Sequence, residues 1–404
     1  MTDIYDINSY NYDLPESQIA QNPTQPQHDC KLLHCKIADD KIIMEDKIFR
    51  DIIDILTPND VIYFNNSQVV PSRIYISCDN KDQKILQGDW VFQILVIWPD
   101  WLQKILQNWE IFWLRRLSSD THEFLVRPWS KLKTWTKIYI WLHELTIVSN
   151  TQEGREVRIS PDINIYQFLD KYGSMPLPPY IWYDKSKDQS YQPIFAAVPG
   201  SVASPTASLH FTDYIMDNLV KKWISQNFVT LHVGMWTFKS VNVQNIKDYE
   251  IHAESAEVNL DIFEEIYQQK IDGKKILSVG TTSARTMESL PYVYILLKDK
   301  LSMSDKSKIW RNDLTKNLDK SDYITNIYIS ENIVFETQIY IYPLYQWKIV
   351  DKLITNFHLP KSSLMMLVAS LMWYDNMTKS YKHAIDNDYR FYSFGDAMYI
   401  DISW

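Results

Sequence analysis

The pattern that most constrains the fold is the alternation of strands and helices in the second half of the chain. After Pro161, β-branched runs such as Lys275 to Val279 alternate with amphipathic stretches such as Leu260 to Lys270. This alternation is typical of a parallel sheet covered by helices. The sequence therefore predicts an α/β main domain with a largely parallel, helix-covered sheet.

A second pattern interrupts this domain. From about Arg73 to Ile159 the chain has short β-branched and aromatic runs separated by turns, a spacing typical of a small all-β barrel or sandwich. We predict a discontinuous α/β domain formed by residues 1–72 and 160–404, interrupted by a small inserted β-barrel domain at residues 73–159. Residues 298–331 are rich in Lys, Asp, Ser and Asn and are predicted to form a surface excursion.

Composition and the pattern of apolar residues indicate a folded protein without a membrane span. The chain has 404 residues, of which 46% are hydrophobic and 23% charged, as in ordinary folded proteins. No run approaches the roughly 18 apolar residues of a membrane span, and the N-terminus lacks the pattern of a secretory signal. We therefore expect a cytoplasmic protein with no membrane partner. The net charge of -9 argues against nonspecific coating of nucleic acid but allows a local basic face for one RNA element.

Polar residues collect in five segments at the ends of predicted strands or the starts of predicted helices. An α/β sheet presents its ligand site at such places. The five segments are residues 200–212, 230–238, 250–254, 279–286 and 355–363. A sixth stretch, Tyr389 to Ala397, adds aromatic rings beside Arg390 and Asp396 that could stack a base or pack in the core.

Two of the segments contain candidate acid–base residues. His232 is in a predicted strand, and His252 and Glu254 are two positions apart, so they share one face of an extended chain. Such a pair could be an acid–base couple or metal ligands. Taken alone, a histidine on a strand such as His232 is more often a hydrogen-bonded structural residue than a catalyst. A solvated loop explains His252 and Glu254 as well as a functional site does.

The segment from Gly280 to Arg285 predicts an anion site. A strand, a glycine and consecutive hydroxyl residues at a helix N-terminus offer free N–H groups and a favourable dipole to a carboxylate or phosphate. Arg285 could add a bidentate clamp, although ordinary helix capping explains the same pattern. The chain has no Walker motif, no G-x-G-x-x-G and no G-x-S-x-G.

No metal site is predicted. His28, Cys30, His34 and Cys35 are close in sequence, but their spacing does not fit zinc patterns with paired Cys-x-x-Cys ligands.

Taken together, these segments resemble the S-adenosylmethionine:tRNA ribosyltransferase-isomerase family of queuosine biosynthesis. The resemblance runs along the chain and includes Tyr12 to Glu16, Phe64 to Arg73, Pro176 to Ile181 and Thr355 to Ser362. It implies an α/β domain interrupted by a β-barrel. It also implies that the ribosyl moiety of S-adenosylmethionine is transferred and isomerised onto 7-aminomethyl-7-deazaguanine at the tRNA wobble position, giving epoxyqueuosine-tRNA, adenine and methionine.

The resemblance further implies the partners and the site. We expect a monomer that binds S-adenosylmethionine as a co-substrate and a tRNA carrying 7-aminomethyl-7-deazaguanine, with no permanently bound cofactor. The residues expected near the chemistry are His232, His252, Glu254, His358, His210 and Asp396. The residues expected to bind the co-substrate are Gly280, Thr281, Thr282, Ser283, Arg285 and Asn356.

These residue types suit the reaction. A sulfonium acidifies the neighbouring 5′-carbon, so a base is needed there, and the departing adenine needs a proton. Two other functions remain open from the sequence: a catalytically inactive RNA-binding relative, and a metal-dependent hydrolase that uses the His and Glu residues.

Tryptophan and glycine counts are unusual, with 15 Trp and only 8 Gly. The family usually has Gly at the positions of Trp129, Trp135, Trp223 and Trp236, and Gly or Ala at those of Leu344 and Ser208. We hypothesise that some of these tryptophans are glycine in the native organism, through a reassigned UGA codon. A divergent homologue with altered turns is the alternative interpretation.

Overall fold

The computed structural model describes residues 2–38, 41–76, 83–87, 90–92, 109–118, 120–127, 132–151, 154–234, 241–297, 318 and 323–402. The strands are β1 (Lys31–Ala38), β2 (Lys41–Ile48), β3 (Asp60–Asn65), β4 (Ser67–Val69), β5 (Arg73–Ile76), β6 (Gln83–Gln87), β7 (Trp90–Phe92), β8 (Trp109–Arg116), β9 (Thr121–Arg127), β10 (Thr136–Ile140), β11 (His143–Asn150), β12 (Arg155–Ser160), β13 (Val198–Ser201), β14 (Ser225–Leu231), β15 (Glu254–Asn259), β16 (Lys275–Val279), β17 (Ile324–Ile329), β18 (Asn332–Thr337), β19 (Lys352–Asn356) and β20 (Ala397–Ile402). The helices are α1 (Ile52–Ile55), α2 (Ile165–Tyr172), α3 (Asp213–Lys221), α4 (Leu260–Ile271), α5 (Thr281–Leu297), α6 (Ser363–Met372) and α7 (Tyr374–Asp386).

Contacts divide the chain into two compact units. The first unit comprises Met1–Gln68, Leu177–Val198 and Ser204–Trp404, and the second comprises Val69–Pro176 and Pro199–Ala203. Each unit is built on a large sheet of its own.

The sheet of the first unit has ten strands in the order β17-β18-β15-β14-β3-β16-β19-β20-β1-β2. The central strands β14, β3, β16 and β19 are parallel, as are β20 and β1, whereas the other neighbours are antiparallel. The sheet is therefore mixed, and the prediction of a largely parallel sheet is wrong. The cause lies in the outer strands, because pairs such as β17 and β18 are joined by hairpins, which connect antiparallel neighbours.

The core of this unit lies against the central strands. Every residue of β3 is buried, as expected for a strand covered on both faces. Phe64, Leu277 and Ile354 from three adjacent strands belong to one hydrophobic cluster with Ile215 and Leu219 of α3. This packing fixes the strands, and with them the loops that follow them.

The strand directions bring the polar segments to one edge of the sheet. Because β14, β3, β16 and β19 are parallel to one another, their carboxyl ends lie at the same edge. Strands β15 and β20 run antiparallel to this set, so they begin there, at Glu254 and Ala397. Residues 206–210 contact β19 at this edge as well, through His210 and Asn356.

The second unit contains an antiparallel sheet of eight strands in the order β5-β8-β9-β12-β11-β10-β6-β7. The expected separate β unit is thus present. Burial alternates along β12, with buried residues at every second position, as expected for a strand with one face on a core. Helix α2 belongs to the same unit, where Phe168 makes an edge-to-face contact with His143.

Parts of two predictions lie outside the described residues. Most of the predicted surface excursion at 298–331 is among them, although its end forms β17 and pairs with β18. Trp129 and Trp236 also lie outside the described residues. Among the helices that the structure describes, none is both long and apolar enough to cross a membrane.

Candidate active site

A pocket lies in the first unit at the edge where the parallel strands end. Five of the predicted site residues line it: Gly280, Thr281, Thr282, Asn356 and His358. The other lining residues are Tyr180, residues 204–207, Val233, Thr355, Phe357, Leu359, Ser362, Leu364, Tyr392 and Ser393. The structure thus brings residues that are far apart in sequence into one pocket.

One wall is the start of α5. Gly280 precedes the helix with φ of 88°, a conformation that glycine adopts without steric cost. The Ser283 hydroxyl donates to the Val279 carbonyl and accepts from the Ser278 hydroxyl at 3.1 Å, so it is turned into the protein and braces this turn. The N–H groups of the first helical turn have no partner within the helix, and Thr281 and Thr282 of this turn line the pocket.

A second wall is held by a buried hydrogen-bond network centred on Asn356. Its amide Nδ2 donates to His210 Nε2 and to the Tyr392 carbonyl, both at 3.2 Å, while its Oδ1 accepts from Thr206 Oγ1 at 3.0 Å. All of these amide atoms are therefore used within the protein. Asn356 therefore holds the surrounding loops together.

His210 lies behind this wall. Because its Nε2 accepts from Asn356, its proton is on Nδ1, which faces Cys30 Sγ at 3.2 Å. Burial lowers the pKa of His210 to about 3, with a smaller contribution from Arg390, so the ring is neutral at physiological pH. His210 is absent from the pocket lining and contacts the site through Asn356.

His358 lines the pocket directly. Its Nε2 is 2.7 Å from Thr355 Oγ1, and its backbone N–H donates to the Tyr381 hydroxyl at 3.0 Å. The Tyr12 hydroxyl donates to its carbonyl. Burial lowers the pKa of His358 to about 3. The structure therefore presents a neutral imidazole, fixed in orientation, to the pocket.

Glu254, Arg285 and His252 form a second cluster at this edge of the sheet. Glu254 and Arg285 are 3% and 5% exposed, and their side chains form an ion pair. The other carboxylate oxygen, Oε1, accepts from the Gly234 N–H at 3.2 Å and lies 3.6 Å from His252 Nε2. Although burial raises the pKa of Glu254, Arg285 and His252 hold it at about 2. Arg285 is thus occupied by Glu254 rather than exposed as a clamp for a ligand.

His232 directly precedes the pocket residue Val233 in the sequence, and His252 lies beside Gly234, which follows Val233. A Cβ placed on Gly234 would lie 3.7 Å from the ring of His252, so this ring packs against the segment that contains Val233. His232 donates its backbone N–H to Ser255 at 2.8 Å. Burial lowers the pKa of His232 to about 4, so its ring is neutral as well.

Asp396 organises a loop. Its carboxylate accepts from the backbone N–H groups of Lys31 and Arg390 at 3.1 and 2.8 Å, and from the Arg390 guanidinium at 3.1 Å. It does not line the pocket. In the part of the chain that the structure describes, no three His, Cys, Asp or Glu side chains are grouped as metal ligands.

Comparison with known proteins identifies the family. The family model described as "Queuosine biosynthesis protein" matches residues 7–400. The chain belongs to this family. The resemblance found in the sequence is thereby confirmed.

Relatives in the queuosine biosynthesis family match the chain over nearly its whole length. The protein named S-adenosylmethionine:tRNA ribosyltransferase-isomerase from Halothermothrix orenii is 33% identical over 98% of this chain and 99% of its own. The protein of the same name from Clostridioides difficile is 34% identical over 97% and 98%. The crystal structure of S-adenosylmethionine tRNA ribosyltransferase from Thermotoga maritima is 26% identical and covers 97% of this chain and 99% of its own, with a TM-score of 0.47.

Two pocket residues of this family member lie in segments that the sequence singled out but were not named individually as site residues. Tyr392 has φ of 71°, is 7% exposed, and packs its ring 4.9 Å from that of Tyr180. Ser204 lines the pocket as part of the loop of residues 204–207. The sequence placed Tyr392 in the aromatic stretch from Tyr389 to Ala397 but did not indicate its left-handed backbone. Ser204 gave only a weak signal, because it lies in the small-residue segment that starts at Gly200.

Proposed function

We propose that this protein has the activity after which its relatives are named and is an S-adenosylmethionine:tRNA ribosyltransferase-isomerase. It transfers and isomerises the ribosyl moiety of S-adenosylmethionine onto 7-aminomethyl-7-deazaguanine at the tRNA wobble position, forming epoxyqueuosine-tRNA, adenine and methionine. One observation carries the proposal: Thr282, Asn356 and His358 line one pocket, and the His252–Glu254 pair lies at the same sheet edge. Near-full-length matches to two relatives of that name support it.

The start of α5 binds the carboxylate of the methionine part. The helix has 17 residues, and its N-terminus carries partial positive charge and N–H groups without helical partners. Gly280 and Thr281 allow a carboxylate to approach these groups closely. Arg285 is not part of this interaction, because it neutralises Glu254.

His252 is the base that removes a proton from the carbon next to the sulfonium. Glu254 lies 3.6 Å behind it and remains ionised because Arg285 is paired with it. An ionised carboxylate in this position orients the imidazole for proton transfer. Glu254 is therefore a positioning residue, whereas His252 contacts the reacting atoms.

His358 and His232 act as neutral hydrogen-bonding groups. Because their pKa values are lowered to about 3 and about 4, both rings are uncharged at near-neutral pH. His358, which lines the pocket, contacts the nucleoside. His210 and Asp396 are positioning residues that hold the loops around Asn356 and Tyr392.

The broader organisation follows the family. We propose that the first compact unit is the catalytic domain and that the eight antiparallel strands of the second unit close into a barrel. The protein acts as a cytoplasmic monomer. S-adenosylmethionine serves it as a co-substrate and a tRNA carrying the precursor base as the acceptor.

The test is adenine release from S-adenosylmethionine, with and without tRNA carrying 7-aminomethyl-7-deazaguanine. We expect release that depends on the tRNA, and a loss of about 100-fold or more in His252→Ala. His383→Ala is the matched control, because His383 also pairs with an acidic residue, Asp46 at 2.9 Å, but Asp46 is on the edge strand β2, which six other strands separate from β15. Binding of the tRNA without adenine release would instead indicate an inactive RNA-binding relative.

A further inference from the structure

Two hydroxyl groups in the pocket have no hydrogen-bond partner in the described part of the chain. Ser204 and Thr282 are 5% and 7% exposed. Neither Ser204 Oγ nor Thr282 Oγ1 has a hydrogen-bond partner among the residues that the structure describes. Both residues line the pocket.

Other hydroxyls of the same pocket are paired within the protein. Thr206 donates to Asn356, Thr355 bonds His358, and Ser362 donates to the Leu359 carbonyl. Ser393 is paired as well, at 2.7 Å from the Tyr180 hydroxyl. The contrast matters because a buried hydroxyl without a partner costs free energy. Such a cost at two positions of one pocket indicates groups that a ligand satisfies.

The two hydroxyls belong to walls that touch each other. A Cβ placed on Gly280 would lie 3.8 Å from Ala207 Cβ, in the loop that begins at Ser204. The same position is 3.6 Å from Thr282 Oγ1. A ligand group at the start of α5 is therefore close to both the helix and this loop.

We propose that Ser204 and Thr282 together bind the α-amino acid end of S-adenosylmethionine. The Thr282 hydroxyl donates to the carboxylate beside the helix N–H groups, and Ser204 Oγ accepts from the ammonium on the adjacent carbon. Among the described residues that line the pocket there is no Asp, Glu, Lys or Arg. A zwitterion, which has no net charge, suits such walls better than an isolated ion does. The assignment rests on the proposed function.

Two ligands distinguish binding of the amino acid end from binding of the nucleoside. S-adenosylhomocysteine has the amino acid end, and 5′-methylthioadenosine lacks it, while both contain adenine and ribose. We expect Ser204→Ala and Thr282→Val to weaken binding of S-adenosylhomocysteine about tenfold, as the loss of one hydrogen bond to a charged group does. Binding of 5′-methylthioadenosine should stay within about twofold of wild type. Isothermal titration calorimetry measures both.

Ser208→Ala is the matched control. The Ser208 hydroxyl is also buried without a partner in the described chain, but this residue does not line the pocket. It should bind both ligands as the wild type does. In the absence of ligand, none of the three variants should unfold at a lower urea midpoint, because each removes an unsatisfied hydroxyl.

Three outcomes would overturn the assignment. Unchanged binding of S-adenosylhomocysteine by Ser204→Ala would show that its hydroxyl does not contact the ligand. Equal weakening of both ligands would place the hydroxyls on the nucleoside. A lower urea midpoint for Ser204→Ala would reveal a structural partner for the hydroxyl. If the wild-type protein bound neither ligand, the proposed function itself would fail.

Discussion

At the scale of single residues, four tryptophans have backbone conformations that favour glycine. The φ angles of Trp135, Trp141, Trp223 and Trp373 are 67°, 56°, 59° and 69°. Their side chains are 68%, 55%, 86% and 49% exposed, so packing offsets little of the strain. Sequence reasoning named Trp135 and Trp223, and the structure adds the other two. The reassigned-codon hypothesis stays a prediction, now with a physical basis at each of these positions.

The strain predicts that glycine stabilises the folded state. A left-handed conformation costs an L-residue about 1–2 kcal/mol, part of which is offset by the greater freedom of glycine in the unfolded chain. We therefore expect Trp223→Gly to increase the free energy of unfolding by about 1 kcal/mol in urea denaturation. Trp113→Gly is the control, since Trp113 is 3% exposed and in β8, and it should be strongly destabilising. A less stable Trp223→Gly would contradict the prediction.

The same observation predicts the composition of the protein in its native cells. Peptide mass spectrometry of the native protein should find glycine at positions 135, 141, 223 and 373, where the backbone is left-handed. Trp113 should remain tryptophan, because its ring is buried in a strand. Tryptophan at all four left-handed positions would support a divergent homologue with strained turns.

At the scale of elements, the sequence was informative where a strand is followed directly by polar residues. Strand β16 was predicted with the bounds that the structure has, because a buried apolar run ends at Gly280. Strand β15 was missed, since its alternating Glu, Ser and Asn residues do not look like a buried strand. The pairing of His210 with Asn356 spans 146 positions. Such a contact depends on the topology, which local patterns do not contain.

This pairing makes a prediction about pH dependence. His210 has a pKa of about 3, so it does not change charge between pH 6 and pH 9. We expect His210→Ala to lower kcat/KM for adenine release about tenfold, through loss of the Asn356 hydrogen bond. The limbs of the pH–rate profile should stay at the wild-type pH values. Loss of a limb in this variant would instead make His210 an acid or base in the reaction.

At the scale of the whole molecule, buried histidines make stability depend on pH. His34, His122 and His210 are 2%, 4% and 4% exposed. Burial lowers their pKa values to about 4, about 4 and about 3. His34 and His210 belong to the first compact unit and His122 to the second. Both units therefore contain groups that resist protonation when folded.

Whether stability rises or falls with pH depends on whether the folded or the unfolded state binds more protons at these histidines. Below about pH 6.5 the unfolded chain protonates these histidines, whereas the folded chain does not until about pH 3–4. Stability is therefore lost as the pH falls through this window, by up to about 1.4 kcal/mol per pH unit for His210. Urea midpoints should be clearly lower at pH 5 than at pH 7.5, and His210→Asn should reduce the difference. The lowered pKa of Glu254, about 2, acts only below about pH 4.5 and so does not contribute between these two values. Equal midpoints at both pH values would mean that the histidines are accessible to protons in the folded protein.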